Sequence, residues 1–471
     1  MKPCSQPPRT SPRLSESVHH QLNLLMKASS EALAGMPPRK LRLTATLVVI
    51  AALMFVPSGS WAASKFKVLY AFKGGTDGAF PSGALVSDSE GKLYGTTFAG
   101  GINSNCSDNG TGCGTVFQLS PTQNGEWTKI TLYSFQNGAD GANPNGDMIF
   151  DSSGNLYGTT LVGGEGIAYG CGTTFEMVPG SGGWTESVVY TFCSLSGDAD
   201  GSFPNPGLVQ DSDGNLYGTT LSGGSGLGGI AFALMPGSGG LTSKALYDFC
   251  LVNNCSSKGS NPAAGLVSDA AGNFYGTTTQ GGMYRSWCGG FPGGCGVVFQ
   301  LKHDSQGNWT QSVIHAFDQG PEGAQPGVRL TFDKQGDLYG TTSTDGVFGS
   351  GTAFRLTPIS HGRWKYSVLY DFRSGLHLGS GLLIDAAGNL YGALGAGGIG
   401  PCSGGAGCGL VYKLAPQKNG RWRFTALHKF TGAQDGGEPS GDLILDRQGN
   451  LYGTAGLGGA GGNGVVFELM P

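Results

Sequence analysis

Beyond residue 64 the apolar positions come in short runs, and the runs recur in a fixed order. The phrases SDSEGKLYGTT, FDSSGNLYGTT, QDSDGNLYGTT, SDAAGNFYGTT, FDKQGDLYGTT, IDAAGNLYGAL and LDRQGNLYGTA place Tyr94, Tyr157, Tyr217, Tyr275, Tyr339, Tyr391 and Tyr452. Their intervals are 63, 60, 58, 64, 52 and 61 residues, so one unit occurs seven times. Each unit reads as four strands. In the second, strand A is expected over 147–150, B over 156–160, C over 172–178 and D over 184–192. The A–B turn is Asp151-Ser152-Ser153-Gly154-Asn155, in which Asp caps the turn and Gly or Asn accepts a positive φ. Outside the N-terminal region no long stretch carries a 3.6-residue period. The prediction is an all-β, seven-bladed β-propeller with four antiparallel strands per blade. Residues 65–72 read as a strand D with no A, B or C before it, and 464–471 as a strand C with no D after it. The N-terminal strand is therefore expected to complete the last blade, which removes the open sheet ends.

The repeat rests on Asp-x-x-Gly-Asn-Leu-Tyr-Gly-Thr-Thr, Gly-Thr-Val-Phe-x-Leu and Trp-Thr-x-x-x-Leu-Tyr-x-Phe, across about residues 65–471. It resembles the GloVer-type tandem repeat of secreted bacterial proteins. That resemblance implies a repeat scaffold and transfers no catalytic residue. The turn phrase is also similar to that of NHL-type and regulator-type propellers, in which the strand before the turn lines the central channel. This implies that strand A is innermost, in keeping with its small residues Gly207 and Gly265.

The 87 glycines would suit disorder, but 10% aromatics in recurrent pairs do not. Residues 1–63 carry 7 of the 28 Lys/Arg and 2 of the 32 Asp/Glu, leaving 21 basic and 30 acidic residues, a net charge of −9, in the body. Such a body repels phosphate backbones, so nucleic acid is not an expected partner. Arg39, Lys40 and Arg42 precede an apolar run over 43–56, and Ser60 and Ala62 suit the −3 and −1 positions of a cleavage site. Residues 1–63 are read as a signal peptide region, with Met26 or Met36 as alternative starts, and 64–471 as the propeller. The run is shorter than the roughly 20 residues of a membrane span. The expected product is secreted or periplasmic and monomeric, without a stable span once cleaved. Retention by an uncleaved N-terminal anchor is the alternative.

The body holds ten cysteines, an even number in an exported chain. Cys106/Cys113, Cys288/Cys295 and Cys402/Cys408 each lie inside one B–C connector, and Cys250/Cys255 inside one D–A connector. Cys171 and Cys193 begin and end one C–D hairpin, so register sets them opposite each other. In an up-and-down blade the B–C and D–A connectors share a face, opposite the A–B and C–D turns. All five expected bridges, and most length variation, thus fall on one loop face.

Candidate chemistry is sparse. The Asp-x-x-Gly-Asn turns resemble pieces of calcium loops, Asp211-Ser212-Asp213-Gly214-Asn215 most of all, but lack the later bidentate Glu and are read as structural turns. Asp77, Asp140, Asp200, Glu322 and Asp435 recur in D–A connectors, either as turn caps or as a ring binding a cation near the channel. Five histidines remain in the body and do not cluster: His315 and His428 take a strand D tyrosine slot, His303 and His361 lie at C–D turns, and only His377 is on the loop face. No metal site, cofactor or catalytic triad is expected. The most distinctive loop insertion contains Tyr284, Arg285 and Trp287, residue types favoured in binding hot spots. The leading expectation is a non-catalytic exported scaffold binding a polysaccharide or an envelope protein. Alternatives are a carbohydrate-active propeller enzyme using loop-face carboxylates and a purely structural envelope protein.

Overall fold

Each unit forms one antiparallel sheet in the order A–B–C–D, seven sheets in all. The computed structural model describes residues 64–471, apart from 104–105, 107–110, 165–169, 238–239, 251–255, 283–287, 289–292, 319 and 374–379. Blade 1 consists of Ala79–Ser87, Leu93–Ala99, Thr115–Pro121 and Trp127–Ser134. Blade 7 takes A, B and C from Gly437–Leu445, Leu451–Leu457 and Val465–Met470, and its D from Lys65–Ala71. The closing register runs from Lys65↔Met470 to Ala71↔Val465. The described residues therefore form a seven-bladed all-β propeller whose first strand completes its last blade.

Strand A is longer than expected. In blade 2 it comprises Ala142–Pro144 and Ile149–Phe150, both paired with B, Leu156–Val162. The first piece lay hidden in what reads as connector because it contains proline. Proline is tolerated at a sheet's edge strand, where no ladder bond needs its missing N–H. Blades 5 and 6 keep only the short second piece, Thr331–Phe332 and Leu383–Ile384.

The repeat residues explain the packing. Strand B glycine faces the strand C aromatic across the sheet, as in Gly95↔Phe117 and Gly276↔Phe299. A Cβ on Gly276 would lie 2.6 Å from the Phe299 ring, so only glycine admits that ring. Phe117, Phe175, Phe232, Phe299, Phe354 and Phe467 are all fully buried. Blade 6 carries Tyr412 there, also fully buried, and its hydroxyl has no hydrogen-bond partner among the described residues.

Neighbouring blades are joined by two recurrent bonds. The first threonine of Tyr-Gly-Thr-Thr donates to a carbonyl just before the second piece of the next blade's strand A: Thr96 to Gly146, Thr159 to Asn205, Thr219 to Ala264 and Thr277 to Val328, at 2.8–3.3 Å. Thr454 makes the same bond to Gly83 at 3.1 Å, so the closing seam is built like the others. The second bond runs from an amide in or just before strand A to the carbonyl preceding the strand C glycine of the previous blade. Asn143, Phe203, Gln325 and Glu438 donate to Cys113, Cys171, Cys295 and Cys408, each at 2.8 Å, and Phe80 donates to Asn463 across the closure at 2.9 Å.

Candidate functional site: the loop face and the central channel

The turn aspartates are occupied by their own turns. Asp269 Oδ1 accepts the Ala271 and Asn273 amides at 2.9 and 3.0 Å, while Oδ2 accepts the Asn273 side chain at 2.8 Å and the Tyr275 hydroxyl at 2.9 Å. Asp211, Asp385 and Asp446 repeat all four contacts. The phrase Asp-x-x-Gly-Asn-Leu-Tyr is thus one hydrogen-bonded unit, and a structural turn accounts for its aspartate, its asparagine and its tyrosine hydroxyl. Burial works against ionisation of Asp269, but these donors outweigh it and hold the carboxyl below its ordinary value.

The D–A carboxylates are likewise used by their surroundings, Asp77 also pairing with Lys129 of the neighbouring blade at 3.1 Å. Asp77, Asp140 and Asp200 accept the strand D hydroxyls of Tyr70, Tyr133 and Tyr190 at 2.8, 3.1 and 2.7 Å. Each also accepts a connector amide, from Lys73, Gln136 and Ser194. Glu322 and Asp435 lie 3.2 Å from His315 and His428, which replace those tyrosines. Each acid thus sits beside the outermost strand of its own sheet and ties that strand to its connector. The structure does not bring the five together, and the described residues contain no cluster of three His, Cys, Asp or Glu able to hold a metal ion. One member has an unusual neighbour. Glu186 of blade 2 faces Asp140, and burial followed by repulsion from Asp140 raises its carboxyl to about 7.

Four disulfides occupy the loop face or its rim: Cys106–Cys113, Cys171–Cys193, Cys288–Cys295 and Cys402–Cys408, with Cα separations of 4.9, 5.9, 5.1 and 4.7 Å. Cys250 is also disulfide-bonded; Cys255 lies outside the described residues, as do Tyr284, Arg285, Trp287 and His377. Four bridges indicate an oxidising, extracellular or periplasmic environment. Among the described residues no helix is long and apolar enough to cross a membrane. In each of the four bridges one cysteine supplies a carbonyl that accepts the next blade's amide. The bridges therefore anchor blade seams as well as loops.

Strand A of every blade contributes to the channel wall, as its small residues suggest. Four residues before each turn aspartate stand Ala84, Asp147, Gly207, Gly265, Arg329, Gly381 and Asp442, one per blade. Three of these seven are charged, and sequence reading missed them. The signal was available only by comparing repeats at a position where they differ. Arg329 reaches from blade 5 to Asp147 of blade 2, with Nη1–Oδ2 at 3.4 Å. Gly207, at a φ of 87°, lies alongside it: a Cβ there would be in ordinary contact with Arg329 Cδ, at 3.5 Å. Asp147 accepts the Ala84 amide at 2.6 Å, and Asp442 accepts the Gly381 amide at 2.5 Å. Enclosure, then the nearby Asp147, raises the Asp442 carboxyl to about 6, with Arg329 and the Gly381 amide opposing.

The charged residues separate two cavities. Toward the loop face lies one of about 220 Å³, with Ser82, Asn145, Ser380 and Ser440 in its wall. Toward the turn face lies one of about 560 Å³, walled by Val86, Ile149, Phe150, Leu383, Ile444 and Leu445. Asp147, Arg329 and Asp442 belong to both.

Among solved structures, a gluconolactonase of Xanthomonas campestris aligns with 68% of this chain and 83% of its own at 16% identity and a TM-score of 0.36. A protein described as a putative oxidoreductase (glucose dehydrogenase) of a Thermus species aligns with 86% of this chain and 100% of its own at 14% identity and a TM-score of 0.38. No curated protein matches the chain. The family described as the Gloeobacter/Verrucomicrobia repeat matches over residues 58–288 and 165–402. With that match over most of its length, and the same repeat visible in every blade, the chain belongs to the Gloeobacter/Verrucomicrobia repeat family.

Proposed function

We propose that this protein is an exported, non-catalytic binding scaffold that presents its loop face to a polysaccharide or an envelope protein. The supporting observation is the contrast between its two faces. On the turn face the recurring aspartates are consumed by short, similar turns. On the loop face the connectors vary in length and carry the bridges that also anchor the blade seams. Variable loops on a rigid frame are where binding function concentrates, and loops already held in place lose less entropy on binding. By sequence position the insertion holding Tyr284, Arg285 and Trp287 falls between strands B and C of blade 4, and its residues are the proposed anchors.

A carbohydrate-active enzyme using loop-face carboxylates is the second reading. The observation favouring it is Glu186, raised to about 7 and therefore able to hold or release a proton near neutrality. One experiment separates the readings: purified protein incubated with a panel of envelope and plant polysaccharides, scored for both retention and released products. Retention without products supports the scaffold. Products that disappear in Glu186→Gln support the enzyme. Neither retention nor products favours a purely structural envelope role.

A further inference from the structure

We propose that the central channel is a second binding site, for an organic ammonium ion carrying an apolar chain. This goes beyond the loop-face reading and stands or falls separately from it.

Among the described residues, Asp147, Arg329 and Asp442 are the only charged or titratable groups lining either channel cavity. Arg329 forms its ion pair with Asp147. Asp442 is held by a backbone amide. With both carboxyls ionised the ring carries one excess negative charge. A carboxylate enclosed by protein is costly unless a counter-charge approaches it. Burial and the nearby Asp147 raise the Asp442 carboxyl for the same reason.

Shape and lining define the rest of the ligand. On one side of the ring the wall offers hydroxyls and an amide, from Ser82, Asn145 and Ser440, as acceptors for N–H donors. On the other side the larger cavity adds aliphatic and aromatic side chains to Ser87, Thr331 and the three charged residues. An ammonium at Asp442 with its chain directed into that cavity satisfies both. An alkyl carboxylate meets the excess negative charge, and a neutral alcohol gains nothing from it. A bare divalent cation is poorly served, because calcium takes 6–8 oxygen ligands and the described residues hold no cluster of three candidate ligands. Gly381 lets the carboxylate pack close: a Cβ there would sit 2.7 Å from the Arg329 carbonyl and 2.9 Å from Asp442 Oδ1.

The test is calorimetric titration of the purified full-length exported protein with hexylammonium, hexanoate and hexanol at pH 7.5. Hexylammonium is expected to bind at least about tenfold more tightly than either analogue, the scale of one charge-assisted contact. Octylammonium is expected to bind more tightly than butylammonium, as each added methylene leaves water. Affinity should fall between pH 7.5 and pH 5, as Asp442 takes up a proton. Asp442→Asn should lose at least about tenfold, the equivalent of the same contact. The chain-length and pH series on the unmutated protein keep the test decisive if that variant misfolds. Equal binding of hexanol and hexylammonium, absence of hexylammonium binding, or calcium chloride alone displacing hexylammonium would each overturn the proposal.

Discussion

Asp269 condenses the repeat's logic into one side chain. Its two oxygens accept four donors drawn from the next six residues. The turn-capping role was legible because Asp-x-x-Gly-Asn is turn chemistry. The bond from Oδ2 to Tyr275, six residues on, was not, because it depends on strand B returning beside the turn. Asp269→Ala is expected to cost about 2 kcal/mol at pH 7, as bonds to a charged acceptor are removed. A depressed carboxyl pKa adds stability above its unfolded value of 3.8 and loses it as pH falls through the lower folded value. The variant's deficit in urea unfolding should therefore shrink as pH drops below about 4. Glu186 has the opposite sign. Its raised pKa makes the fold lose stability as pH rises from 4.5 toward 7. Glu186→Gln should be more stable than the parent in urea unfolding at pH 8, by about 1 kcal/mol after screening, with little difference at pH 4. The channel charges escaped sequence reading for a different reason. Repeats are recognised by what they share, whereas Asp147, Arg329 and Asp442 stand where the blades diverge.

The strand B glycine and the strand C aromatic make the element-scale case. Gly276→Ala forces a methyl against Phe299 and should destabilise by about 1–3 kcal/mol, the usual range for overpacking. Phe299→Leu should reduce that penalty, so a double-mutant cycle by urea unfolding will show coupling between the two sites. Hairpin register was readable enough to pair Cys171 with Cys193, and the observed ladder brings Thr173 opposite Thr191 just inside them. The extra piece of strand A was not readable, since Pro144 argues locally against a strand and only its edge position permits one. Nor could the sequence show that Cys295 bonds the next blade through its carbonyl. Cys288→Ser with Cys295→Ser is expected to cost about 2–3 kcal/mol, the scale for so short a loop. Hydrogen exchange should also show earlier opening at the Gln325 amide. Unchanged exchange there would remove the seam role and leave only the loop role.

At the scale of the molecule, the first and last strands close one ring. The ladder from Lys65↔Met470 to Ala71↔Val465 joins residues about four hundred positions apart, and it was foreseeable because one strand type was missing at each end. The seam behind it uses the same threonine and amide bonds as the interior seams, Thr454 to Gly83 and Phe80 to Asn463. Closure buries Leu69 and Phe72 with Phe117 and Val466 and leaves no outer edge on strand C of blade 7. Both the loop-face reading and the channel proposal require this ring. The most direct test is the thermal unfolding of the exported protein lacking residues 65–72, followed by size-exclusion chromatography, with and without a synthetic peptide of that sequence. Closure predicts a large fall in melting temperature, association through the exposed strand, and recovery of both when the peptide is supplied. A truncated protein that stays monomeric and melts at the parental temperature would contradict it.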